Sequence, residues 1–333
     1  MNDRPLTIFP AINLRGQLNS FKGESMKTNR DQMDYIVPNH LLLETIKGVC
    51  TARCVMCDIK TWAKNPHIQS AELFTDILQK FIPYQKDIDY LSLFWRGEPL
   101  LDKELVAKIK IAKSMGFRSV GFSTNCTELS IDRPRELMEA GLDTIICCVD
   151  GIHKETHEAI RIGTNFDVVV DNVLGFISIR NICKYPTKVI IRFLRQKSNI
   201  HEEYDFTQAW NSVLNPLYGD AVEPFPVVEC NGNIKDYSSI DALDGVETMN
   251  YTCKELFQRM IVTSEGNVNL CCGDGSETIK MGNVLNQDPI EIYNNPIFTK
   301  YREYFVAGRK QELDICKNCT APRSHKLKEV ANV

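Results

Sequence analysis

The sequence predicts an α/β protein in which parallel strands alternate with helices, followed by a smaller unit built on a hairpin and a helix. Three observations predict it. Short apolar runs alternate with segments of helical spacing from about residue 40 to 229. Each polar motif in that region follows the C-terminal end of a strand. Beyond about residue 252 the alternation stops and a hairpin pattern begins, flanked by cysteines. Alternation alone leaves a doubly wound sheet and a barrel both open, but polar motifs gathered after successive strand ends are the arrangement of a barrel's chemical face.

Taken in order, His40-Leu41-Leu42-Leu43-Glu44-Thr45-Ile46 is a short apolar run and reads as a buried strand. Ser70 is a cap for a helix carrying Leu73, Ile77, Leu78 and Phe81, which Pro83 ends. Ile88 to Phe94 is the second strand, and a helix near 102–115 is closed by Gly116. Ser119 to Phe122 is the third strand; a helix around 135–140 stops at Gly141, and Asp143 to Val149 is the fourth strand. Helices near 153–160 and 166–182 lead to a strand at 188–193, then to a helix near 201–214 and a sixth strand within 219–229. Residues 260–263 and 268–271 flank the turn Ser264-Glu265-Gly266-Asn267 as a hairpin, and one helix is expected from about 289 to 307, ended by Gly308.

Bulk properties narrow the function classes. With 43% apolar and 25% charged residues, the chain has the composition of a globular protein able to bury a large core. A formal net charge of -4 supplies no basic field for nucleic acid. Neither a secretory start nor an apolar run of membrane length is visible, so a cytoplasmic location is expected, with no membrane partner. Thirteen cysteines in a reducing compartment point away from a disulfide framework. Cys126, Cys147, Cys148, Cys183 and Cys230 read as buried small apolar residues; the others cluster. The six histidines are scattered and fit no ligand pattern.

The most informative cluster is Cys50, Cys54 and Cys57, with three and then two residues between ligands. One tight loop thereby converges three thiolates on a metal cluster and leaves a fourth position without a protein ligand, whereas a structural zinc site closes with four. Cys253, Cys271, Cys316 and Cys319, separated by 17, 44 and two residues, form a second set; four thiolates close either a zinc site or a fully ligated 4Fe-4S cluster. Cys272 is the alternative to Cys271, because neighbours on a strand face opposite ways.

The triple-cysteine loop followed, one strand later, by Arg96-Gly97-Glu98-Pro99 resembles the radical S-adenosylmethionine superfamily, and the likeness covers roughly residues 38–320. The resemblance implies a partial (β/α)6 TIM-like barrel with a small C-terminal hairpin-plus-helix domain of the SPASM or twitch type. It implies that Cys50, Cys54 and Cys57 hold a 4Fe-4S cluster whose open iron binds S-adenosylmethionine. Reductive cleavage of that cofactor would give a 5'-deoxyadenosyl radical, with an external reductant such as flavodoxin or ferredoxin supplying the electron. The Gly97-Glu98-Pro99 loop would receive the methionyl ammonium on main-chain oxygens, with Arg96 where relatives carry glycine. Met56 would touch the adenine; Ser123 and Asn125 would reach the ribose or methionyl part. Cys148 and Asp150 resemble the family's Ser-x-Asp-Gly, and Arg161 the arginine that pairs with the methionyl carboxylate. Cys253, Cys271, Cys316 and Cys319 would hold a second, auxiliary 4Fe-4S cluster.

The division expected is an extension at 1–36 lying over the main domain, a barrel at 37–230, a linker at 231–252, an auxiliary-cluster domain at 253–320 and a tail at 321–333. The later cysteine spacing is most similar to the aminocyclitol dehydrogenases of this family. It implies oxidation of an alcohol to a ketone on a small polyol, aminocyclitol or sugar-like substrate, the second electron passing to the auxiliary cluster. Epimerisation with a cysteine hydrogen donor (Cys148, Cys230 or Cys272) and modification of a ribosomal peptide are the alternatives within the family. A noncatalytic metal-binding or redox-sensing protein is the alternative outside it, and the cofactor-loop motif argues against that. Arg192, on a strand of the expected active face, is a candidate to orient a hydroxyl or anion; no general base is legible.

Overall fold

Nine strands form one sheet in a computed structural model whose described residues are 35–130, 132–229, 234, 236–242 and 253–321. Six of them are parallel and lie side by side in chain order: β1 (His40–Leu43), β2 (Tyr90–Ser92), β3 (Val120–Thr124), β4 (Thr144–Cys148), β5 (Lys188–Arg195) and β6 (Ala221–Pro226). A doubly wound sheet reverses its strand order at a switch point; a strictly sequential order is that of a barrel wall, here left open after six strands. Three further strands, β7 (Arg259–Val262), β8 (Asn267–Asn269) and β9 (Gly282–Asn283), continue the sheet from the other side of β1. β7 runs parallel to β1, with His40 opposite Arg259 and Leu43 opposite Val262, and turns through Gly266 into antiparallel β8. The hairpin expected from sequence is therefore an extension of the barrel sheet.

Alternation sorts the strand residues into two faces. Leu41, Leu43, Leu91, Leu93, Val120, Phe122, Ile145, Val149, Val189, Ile191 and Phe193 pack with residues of the helices in one core. Those helices are α1 (Ala71–Gln79), α2 (Leu105–Ser114), α3 (Arg133–Glu139), α4 (Lys154–Ile160), α5 (Phe166–Cys183) and α6 (Glu203–Asn211). Fully burying a Leu, Ile or Phe contributes about 1.5–3 kcal/mol each, so this outer layer drives folding. The opposite face carries His40, Tyr90, Ser92, Ser123, Cys148, Arg192, Glu223 and Arg259, and it is the face on which polar chemistry is possible.

Caps and turns follow the expected chemistry. Ser70 Oγ accepts from Leu73 N at 3.1 Å, and Gly116 and Gly141 close α2 and α3 at φ of +88° and +93°. The single helix expected over 289–307 is instead two, α7 (Pro289–Tyr293) and α8 (Pro296–Val306). Pro296 has no N–H to continue a helix, and Asn295 Oδ1 restarts one by accepting from Ile297 N and Phe298 N, each at 2.9 Å. Residues 1–34, Cys230 and 322–333, where the extension, one candidate thiol and most of the tail were expected, lie outside the described residues, as do most of the linker positions. Among the described residues no helix is long and apolar enough to cross a membrane.

The last barrel unit hangs on one buried ion pair. Arg180, from the end of α5, forks onto Asp220 at 2.8 and 2.6 Å, and the same carboxylate accepts from Val189 N and Asn215 N, both at 2.9 Å. Breaking a buried pair by removing one partner leaves an uncompensated charge. Asp220→Ala is accordingly expected to lower the unfolding free energy by about 3–5 kcal/mol, read from the urea midpoint.

Candidate cofactor and cluster site

The loop carrying Cys50, Cys54 and Cys57 leaves the end of β1 and is fixed from three sides. Gly48, at φ +72°, donates its N–H to the carbonyl of Arg96 at 2.7 Å, and an added Cβ there would strike the Trp62 carbonyl. Arg53 N and Val55 N donate to the carbonyls of Ile162 and Ile160 at 2.7 and 3.0 Å, tying the loop to the end of α4. Asn125 Nδ2 donates to Thr51 Oγ1 at 2.9 Å and reaches Cys50 Sγ at 3.6 Å. The three thiols are free and at least partly exposed. Although part of each side chain reaches the surface, desolvation of the sulfur, with repulsion from neighbouring thiols added, raises Cys50 to about 11 and Cys57 to about 12.

The loop after β2 lies against them. Glu98 N donates to the carbonyl of Val49 at 2.9 Å, and a Cβ on Gly97 would stand 2.6 Å from the Ile46 carbonyl oxygen and 3.1 Å from that of Val49. Only glycine permits this approach. The Glu98 carboxylate is buried and fully engaged: Oε1 accepts from Thr124 Oγ1 at 2.6 Å and Leu100 N at 3.1 Å, and Oε2 from Asn125 N at 2.9 Å. Its side chain locks the end of β3 against this loop, whose Arg96, Glu98 and Pro99 carbonyls accept from Gly48 N, Leu101 N and Asp102 N. The Arg96 guanidinium is also turned away from the cysteine loop, engaging Glu44, Gly275 and Glu277 instead.

At the ends of β3 and β4, Ser123 Oγ and Cys148 Sγ are 3.1 Å apart. Asp150 is fully buried; its Oδ1 accepts from Leu194 N at 2.7 Å and its Oδ2 lies 2.8 Å from Arg161 Nε. Arg161 Nη1 in turn reaches Cys54 Sγ at 3.7 Å. Burial opposes the charge on Arg161, but Asp150 and the surrounding thiols hold it firmly cationic. A fixed guanidinium beside three thiols is an anchor for a carboxylate. Met56, half-buried, sits between Cys54 and Cys57.

The second cysteine set lies on the segments just before β7, just after β8 and after α8. Burial first, with repulsion from neighbouring thiols behind it, pushes Cys271 well up; burial and then Glu255 do the same to Cys253, and Cys319 weighs on Cys253, Cys271 and Cys272 alike. Cys272 Sγ lies 4.0 Å from Arg259 Nη1 and 3.9 Å from Glu255 Oε2. Of the two alternatives left open above, Cys271 is the less exposed and Cys272 is the one that meets Arg259 and Glu255. Among the described residues no three His, Cys, Asp or Glu side chains surround a single metal-ion position. A 4Fe-4S cube takes each thiolate on a separate iron and so fits donors spread more widely than one ion allows. The chemistry of both donor sets, all thiol and unbridged, fits iron–sulfur clusters.

Several residues of the inner face, Arg192 apart, escaped the sequence reading. His40 Nδ1 accepts from Arg259 Nε at 3.0 Å, which places the proton on Nε2, 2.5 Å from Ser92 Oγ; burial and then Arg259 hold this imidazole neutral. Arg192 pairs with Glu223 at 2.5 Å and Arg259 with Glu255 at 2.6 Å. The signal available for them was charged or polar residues at alternate positions of otherwise apolar strands.

Comparison with known proteins agrees with this geometry. Residues 45–178 match the radical SAM superfamily, and residues 253–320 match SPASM, an iron-sulfur cluster-binding domain. A probable GTP 3',8-cyclase of Saccharolobus islandicus is 28% identical over 187 residues, 55% of this chain and 56% of that protein. The S-adenosyl-L-methionine-dependent 2-deoxy-scyllo-inosamine dehydrogenase of Niallia circulans is 31% identical over 80 residues, 24% of this chain and 32% of that one. The chain thus spans little more than half the length of the first of these relatives, and less of the second. The crystal structure of BtrN in complex with AdoMet and 2-DOIA superimposes with a TM-score of 0.57 at 18% identity, covering 85% of this chain and 93% of that one; at that identity the likeness is one of fold.

Two outcomes are expected. Cys271→Ala abolishes iron binding by the second cysteine set while Cys272→Ala retains it, as read by iron analysis of each variant carrying an intact first set. Arg161→Lys, which keeps the charge but loses the planar fork, weakens S-adenosylmethionine binding by about 10-fold in equilibrium dialysis.

Proposed function

We propose that this chain, whose residues 45–178 match the radical SAM superfamily and 253–320 the SPASM domain, oxidises a secondary alcohol of a small polyol, aminocyclitol or sugar-like molecule to a ketone. Its cofactors are S-adenosylmethionine, a 4Fe-4S cluster and a further iron–sulfur centre. In this reading Cys50, Cys54 and Cys57 hold the first cluster, and Cys253, Cys271, Cys316 and Cys319 the second, with residues 37–230 and 253–320 as the two functional divisions. When bound, the first cluster and S-adenosylmethionine supply a hydrogen-abstracting 5'-deoxyadenosyl radical, and the second cluster supplies an electron acceptor.

The observation that carries the proposal is the parallel pairing of β7 with β1. The strand that follows Cys253 pairs in parallel with the strand that leads into Cys50, so the two cysteine sets are attached to neighbouring strands of one sheet, and in this reading the second set holds the electron acceptor. The chain's own residues supply the rest. Arg161, held by Asp150, anchors the methionyl carboxylate; the carbonyls of the Gly97-Glu98-Pro99 loop accept from its ammonium; Met56 and the Ser123–Asn125 stretch border the nucleoside. Arg192, Glu223, His40 and Ser92 face the interior with paired donors and acceptors, which suits hydroxyl and amino groups. A nucleotide triphosphate, the substrate class suggested by the cyclase relatives, is less well served, since Arg192 and Arg259 are each already engaged by a carboxylate. An external one-electron reductant such as flavodoxin or ferredoxin completes the cycle.

One observation favours epimerisation as the second reading: the exposed Cys272 thiol, outside the quartet and beside Arg259, is a possible hydrogen donor. Anaerobic reconstitution decides between them. With 2-deoxy-scyllo-inosamine and related cyclitols as probes, oxidation yields 5'-deoxyadenosine with a two-hydrogen mass loss from the cyclitol. Epimerisation yields a product of unchanged hydrogen count that carries solvent deuterium. Absence of 5'-deoxyadenosine with every probe, with both clusters loaded and a strong reductant present, overturns the proposal.

A further inference from the structure

The Arg96 side chain has a structural destination. It is 1% exposed. Nε and Nη2 fork onto the two Glu44 oxygens at 2.8 Å each, and Nη1 donates to the Gly275 carbonyl at 2.9 Å and to Glu277 Oε1 at 2.7 Å. Its neighbour Trp95 stacks on the guanidinium, 4.1 Å from ring centre to carbon, and donates from Nε1 to the carbonyl of Cys272 at 3.1 Å. Two consecutive side chains at the end of β2 thus cross to the loop that carries Cys271. The main chain of the same two-residue segment is joined to the cysteine loop, since the carbonyl of Arg96 accepts from Gly48 N at 2.7 Å.

The segment they reach is stiff. Asp274 accepts from Thr278 N at 2.9 Å, Thr278 Oγ1 at 2.8 Å and Ile279 N at 3.1 Å, and Asn269 Nδ2 donates to the Asp274 carbonyl at 2.6 Å. Glu277 is held at φ +53°, a conformation rare outside glycine, with Arg96 as its close cationic partner. On the other side, Gly275 lies so close to Trp62 that a Cβ would stand 2.7 Å from the indole. A loop braced in this way moves with its contacts.

We propose that Trp95 and Arg96 are positioning residues that couple the loop receiving S-adenosylmethionine to the 271–277 loop of the second cysteine set. Cofactor binding then orders the auxiliary loop, and order in that loop strengthens cofactor binding by the same factor. The inference rests on the reading above only in naming which loop receives the cofactor.

Hydrogen exchange of the reconstituted full chain, with and without S-adenosylmethionine, tests it. In the wild type the cofactor is expected to slow exchange at least 5-fold over 271–279 as well as over the two loops it touches. Arg96→Gly strands the buried Glu44 carboxylate and risks failure to fold, so the informative variant is the double substitution Trp95→Phe with Glu277→Gln. It is expected to lose the protection over 271–279 and to bind S-adenosylmethionine 5- to 10-fold more weakly in equilibrium dialysis. Arg96→Lys, which keeps charge without the fork, falls between. Protection confined to 48–58 and 95–99 in the wild type, or a double variant with unchanged affinity and protection, overturns the coupling. If ketone formation fails with every probe while the coupled protection is present, the proposed reaction falls and the coupling stands.

Discussion

The structure depends on β1 being an interior strand. With β2 on one side and β7 on the other, its backbone is paired along both edges, and its outward side chains are sealed beneath the helices. A strand so constrained cannot slip by one residue without exchanging Leu41 and Leu43 for His40 and Leu42 on the apolar face. The cysteine loop begins where this strand ends, so its position inherits that register. The same strand fixes β7, because Arg259 can reach His40 only while β7 is in register beside it.

Around that strand a set of buried polar residues is arranged as pairs. Arg180 with Asp220, Arg96 with Glu44, Lys108 with Asp102 and Arg161 with Asp150 are all buried, and all but the first lie at or near the loops that follow the strand ends. Each pair is expensive to desolvate and, by itself, weak evidence for stability. Their shared property is geometric: each fixes a loop that has no apolar face of its own. A chain presenting main-chain carbonyls and thiols to a ligand cannot fix those loops by hydrophobic packing, since that would close the space the ligand needs.

Much of this was legible from residues alone. The strand and helix sequence followed from periodicity, the cysteine loop from its spacing, and the caps at Ser70, Gly116 and Gly141 from their chemistry. What was not legible depended on partners distant in the chain. Nothing adjacent to Arg96 announces Gly275 or Glu277 as the partners of its side chain. The break at Pro296 was readable and was overlooked, because the apolar spacing on either side continues as though one helix ran through. Cys271 and Cys272 are equivalent in sequence; only the turn after β8 separates them, bringing Cys272 to Arg259 and Glu255.

Glu98 shows how a motif residue contributes without touching a ligand. A carboxylate in a loop beside thiols and an arginine looks like a direct contact, yet it accepts three hydrogen bonds from Thr124, Leu100 and Asn125 within the protein. Two of these donors belong to the end of β3, and Asn125 passes the constraint on to Thr51 and Cys50 through its own amide. Replacing the carboxylate by a shorter or neutral group would free the end of β3, and with it the amide that braces the cysteine loop. The requirement for glutamate is thus met by its reach and its two acceptor oxygens, while glycine beside it meets a separate requirement, the approach of one main chain to another within 2.6 Å of an ordinary Cβ position. The two adjacent residues are needed for different reasons, one to hold the loop and the other to let it come close.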